Sequence, residues 1–91
     1  MKSRSIITVV GVDQVGIIAR VCNYLSDANV NVLDISQTVM QGSFTMVMAV
    51  DAAGISVSFA EIAKGLAELG SEMGLTIRIQ REEIFDAMHT V

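Results

Sequence analysis

The strongest constraint on the fold of this chain is the order in which its hydrophobic periods follow one another. Ile6-Ile7-Thr8-Val9-Val10 is β-branched throughout and stops at Gly11. It reads as a strand with both faces largely apolar, hence a central one. From Val15 the period becomes helical. Ile18, Val21, Cys22, Leu25 and Ala28 recur on one face, with Arg20, Asn23 and Asp27 off it. Asn29 suits the left-handed position that ends a helix. Val30 to Met40 reads as a long strand in which Leu33, Ile35 and Val39 alternate with Asp34, Ser36 and Thr38. Gln41-Gly42-Ser43 is a hairpin turn, and Phe44 to Val50 follows as a second central strand. Ser58, with Glu61 three residues on, has the form of a capping box, and Ser56 is the alternative cap. Phe59, Ile62, Leu66, Leu69 and Met73 make the stripe of a second helix that ends at Gly74. Leu75, Ile77 and Ile79 alternate with Thr76, Arg78 and Gln80 as a half-buried edge strand. Beyond Glu82, the spacing of Ile84, Phe85 and Met88 predicts a short helix packed on the body.

The order is therefore β-α-β-β-α-β plus a C-terminal helix. It predicts an α+β, ferredoxin-like fold, a four-stranded antiparallel sheet with two helices on one face and the other face open. With no proline and no linker-like tract, residues 1–91 are expected to form a single domain. The hydrophobic fraction, 52%, is high for so short a chain. Some apolar surface is therefore expected in a subunit contact. A net charge of −4 argues against a nucleic-acid or anionic-membrane partner. No apolar run reaches membrane-spanning length, and the first residues carry no apolar core of a secretory signal, so a cytoplasmic protein is expected.

The best candidate for a site is Gly11-Val12-Asp13-Gln14-Val15-Gly16-Ile17, which joins the first strand to the first helix. Free N–H groups around Gly16 and Ile17, at the positive end of a helix, favour a carboxylate, and Asp13 or Asp34 can meet an ammonium. A free amino acid carries both charges. The glycine spacing is neither that of a dinucleotide-binding fold nor that of a P-loop, and no lysine stands nearby for phosphates. The competing reading gives Asp13 only a structural role, as the cap of the helix N–H groups at Val15 or Gly16. Asn31 opens the second strand, on the sheet edge that Gly16 is expected to approach, and its amide both donates and accepts. A plain loop hydrogen bond is the alternative there, and Asn29 reads as a helix end.

Catalysis and metal binding find no support. The one cysteine, Cys22, lies on the core face of the first helix, where a buried inert thiol is expected, and it excludes an internal disulfide or a cysteine-rich zinc site. The one histidine, His89, is near the C-terminus. No nucleophile, base and orienting group can be assembled, no cluster has metal-ligand spacing, and no cofactor is expected. An acylphosphatase of this topology would need an arginine in the first loop, and a metallochaperone would need paired cysteines. An RNA-binding sheet would need stacked aromatics, and the chain is 4% aromatic.

The loop Gly11 to Ala19, then Leu25, then Asn29-Val30-Asn31-Val32-Leu33-Asp34-Ile35-Ser36-Gln37, resembles the ACT-domain family over Ile6 to about Gln80. The resemblance is greatest to stand-alone, single-domain members related to the glycine cleavage system repressor, and Ile84-Phe85-Asp86-Ala87-Met88 is similar to the ending of that subgroup. It implies a small regulatory module that is not an enzyme and that binds amino acids. The ligand would lie where the first loop of one subunit meets the second strand and first helix of its partner. Carried onto this chain, that marks Asp13, Gln14, Val15, Gly16, Ile17 and Asn31. The expected partners are a second copy in a homodimer, a small amino acid, and a metabolic enzyme or regulator controlled in trans. The alternative is an obligate-dimer interaction module with no small-molecule ligand.

Overall fold

The structure, a computed structural model, describes residues 4–82. The elements are β1 (Arg4–Val12), α1 (Ile17–Asp27), β2 (Asn31–Met40), β3 (Ser43–Asp51), α2 (Phe59–Met73) and β4 (Leu75–Arg81). The sheet order is β2-β3-β1-β4 with every neighbouring pair antiparallel. This is the ferredoxin-like arrangement expected from the periods, with β1 and β3 central. The short C-terminal helix expected over Ile84 to Met88, and His89, lie outside the described residues.

Register explains the core. Ile7 faces Met48 and Ile79, and Val9 faces Met46 and Ile77. These side chains share one face of the sheet, and Val21 and Leu25 of α1 and Ile62 and Leu66 of α2 bury against it. The other face leaves Val10, Val12 and Val47 exposed. Local chemistry sets the ends of most elements. Ser58 Oγ accepts from the Glu61 N–H (3.1 Å) and Glu61 Oε1 accepts from the Ser58 N–H (3.2 Å), a complete capping box. Gly74 closes α2 with a left-handed backbone. Gln41 and Gly42 both have positive φ (52° and 82°), the requirement of a two-residue type I′ hairpin.

Three expectations are corrected. First, α1 begins at Ile17 rather than near Val15, and Asp13 does not cap it. The N-cap is Gly16 in the left-handed region, with no side-chain cap hydrogen bond. Second, β2 begins at Asn31, while Val30 is buried in the core. A bulge between Val32 and Asp34 interrupts its pairing, and every residue from Leu33 to Met40 is exposed. The alternation of Ile35 and Val39 does aim them at the helix side, opposite Met48 and Phe44. At the edge of the sheet, however, α1 and α2 do not cover them. Third, Cys22 is only partly buried.

Candidate functional site

The loop between β1 and α1 is held at three points. The Asp13 N–H donates to the Gly42 carbonyl of the hairpin (2.9 Å). The Gln14 amide nitrogen donates to the carbonyl of Met73, at the end of α2 (2.7 Å), with a longer contact to the Val12 carbonyl (3.4 Å). The Gly16 carbonyl accepts from the Arg20 N–H (2.9 Å), the first hydrogen bond of α1. Gly16 has φ of +89°, and a side chain there would meet nothing within 4 Å. Its glycine is required by the backbone conformation rather than by crowding. Val15 is fully exposed beside it.

The first turn of α1 has no acidic residue and no side-chain cap. Its opening N–H groups and the positive end of its dipole therefore keep their capacity for an external anion. The Gln14 amide nitrogen, by contrast, is already spent on the fold.

Asn31 is not at this end of the molecule. It pairs with Asp51, and Asp51 pairs with Arg4, the start of β1. Gly16 follows Val12, the end of β1, which pairs with Ser43. Through their shared partner β3, β1 and β2 run in the same direction, so the two residues are separated by a strand length, about 27 Å. The expectation that Gly16 approaches the sheet edge at Asn31 within one chain is corrected accordingly.

Around Asn31 lies an open hollow of about 390 Å³ lined by Cys22, Ser26, Asn29, Val30, Asn31 and Val32. Sequence alone assigns neither Cys22 nor Ser26 to a site. Their spacing of four on α1, just before the start of β2, is the signal that marks them. Asn29 keeps its structural role. It has φ of 61°, and its side-chain amide donates to the Gly54 carbonyl (2.7 Å), tying the β3–α2 loop to the end of α1. Asp34 Oδ1 accepts from the Ile35 N–H (2.9 Å).

Where the helices cross, Tyr24 lies against Gly65 so closely that a side chain at 65 would collide with its ring. Burial, then the charges of Glu68 and Glu61, push its phenol above the usual range. Among the described residues, no three His, Cys, Asp or Glu residues are grouped to hold a metal ion, and no helix is long and apolar enough to cross a membrane.

A family model described as "ACT domain" matches residues 3–80. A UPF0237 protein of Bifidobacterium longum is 56% identical over 89 residues, covering 98% of this chain and 99% of that protein. The solved structure of an ACT domain protein from Streptococcus pneumoniae superposes with a TM-score of 0.80 at 34% identity, over 93% of this chain and 96% of that one. A solved structure described as a glycine cleavage system transcriptional repressor superposes with a TM-score of 0.77 at 25% identity, over 89% of this chain and 46% of that one.

Proposed function

The chain belongs to the ACT domain family, whose members generally bind small molecules such as amino acids in regulation, and from that premise we propose that residues 1–91 form one regulatory domain that pairs as a homodimer, binds a small amino acid between subunits and acts in trans on a metabolic enzyme or regulator. No catalytic step is assigned to it.

One observation carries this reading. The uncapped start of α1 at Gly16 and the Asn31 hollow lie at opposite ends of one chain. A two-fold axis standing beside β2 and perpendicular to the sheet exchanges the ends. The loop of one protomer then meets the partner subunit's Asn31. The N–H groups at Gly16 and Ile17 would take the carboxylate, and Asp13 and the Asn31 amide carbonyl would take the ammonium. β2 suits such a contact. Among the described residues its outer edge is unpaired, it carries Leu33, Ile35 and Val39 exposed, and Asp34 is its one charged residue. Lysine and proline, which protect edge strands from pairing, are absent from it.

The test is a thermal-shift screen of the common amino acids. A ligand at a hundred times its dissociation constant adds about 2.7 kcal/mol, which raises the midpoint of a chain this size by about 10 °C or more. The Asn31→Ala protein, changed at an exposed position, is expected to keep its unliganded midpoint and lose the shift. If no amino acid moves the midpoint, the sensing role falls and the obligate-dimer module replaces it. Gly16→Val is a poor control, because any side chain at φ of +89° strains the loop regardless of ligand.

A further inference from the structure

The family resemblance marks Gln14 as a ligand contact, yet its carboxamide nitrogen is already engaged with a helix end 59 positions away. Its nitrogen donates to the Met73 carbonyl at 2.7 Å. That carbonyl needs a donor. The last turn of α2 has no basic residue, and the Gly74 N–H bonds further back, to the Gly70 and Ser71 carbonyls. The end of α2 is also the negative end of its dipole, made more negative by Glu72. Arg20, from the first turn of α1, meets Glu72 at 2.9 Å. Two side chains thus reach from the loop and the start of α1 to the last turn of α2. Both ties lie at the surface, and the amide, at 2.7 Å, is the shorter of the two.

We propose that Gln14 is a positioning residue that clamps the β1–α1 loop onto the C-terminus of α2, so that the shape of the α1 start at Gly16 and the order of the α2–β4 junction at Gly74 change together. A displacement of the loop withdraws the cap from α2, and fraying of α2 releases the loop. By reciprocity, whatever fixes one end fixes the other. That the clamped loop receives a ligand rests on the function proposed above. The clamp itself does not, and its test needs no ligand.

The experiment is amide hydrogen exchange on the full chain, comparing the wild type with Gln14→Glu and Gln14→Lys. The glutamate is nearly isosteric but sets a carboxylate against a carbonyl. The lysine supplies a donor that the helix end favours. The expected result in Gln14→Glu is exchange about tenfold faster at both Arg20 and Gly74, the worth of one hydrogen bond. Met46 and Met48, at the centre of the sheet, should hold their rates, and Gln14→Lys should restore both accelerated sites. Unchanged rates, acceleration at only one of the two sites, equal acceleration in β3, or failure of the lysine to restore them would each overturn the proposal.

Discussion

Gly16 and Asn29 use the same left-handed backbone for opposite purposes. Gly16 starts α1 and keeps its surroundings empty, while Asn29 ends α1 and fills the space beyond with its own amide. The difference follows from side-chain chemistry. Asparagine tolerates positive φ and can hydrogen-bond locally, whereas glycine leaves the backbone open to approach. Tyr24, the one tyrosine, makes a separate prediction. Its phenol is held above the usual range first by burial and then by Glu68 and Glu61. The folded chain therefore keeps that proton to a higher pH than the unfolded chain does. The stabilisation is complete below about pH 10 and is lost as pH rises beyond it. In alkaline melts the midpoint of the wild type should fall more steeply with pH than that of Tyr24→Phe. Parallel slopes would show that Tyr24 carries none of the dependence.

Among the elements, the capping box of α2 is the one most fully encoded locally, since both of its partners lie within four residues. Ser58→Ala should cost about 1 kcal/mol, read from denaturant midpoints at unchanged slope. The order of the strands, the helical stripes, the hairpin turn around Gly42 and the ending at Gly74 were legible for the same reason: each depends on residues close in sequence. The start of α1 was not, because it is set by tertiary contacts. Gln14 reaches Met73 and the Asp13 N–H reaches Gly42, which leaves Gly16, not Asp13, at the cap. The exposure of β2 was also hidden. Alternation reports which face a side chain takes, and Val39 does face the helix side, yet only the strand order shows that neither α1 nor α2 covers it. As for the candidate site, the place of the loop between the first strand and the first helix was legible. The separation of Gly16 from Asn31 becomes apparent only when strand directions are traced through β3. The Cys22 and Ser26 wall requires the packing of α1 beside β2.

For the whole molecule, the proposed two-fold assembly rests on the β2 edge, which has no strand paired to its outer side among the described residues. Val39 is 52% exposed, on the strand whose outer edge is unpaired among the described residues. On the two-fold reading, Val39→Lys should convert a micromolar dimer to a monomer in sedimentation while leaving the far-ultraviolet circular dichroism intact, because a lysine on an edge strand opposes pairing and no core contact is lost. A wild type that already sediments as a monomer would remove the dimer from the account. The strand-length distance between Gly16 and Asn31 has a further consequence. A symmetric pair would carry two composite sites, one at each end of the joined sheet, so binding stoichiometry is one ligand per chain and the Hill coefficient has a ceiling of two. Each site would draw its halves from different chains. Mixing a chain disabled only at Asn31 with one disabled only at the loop would therefore rebuild one working site in the hybrid, although neither parent has any.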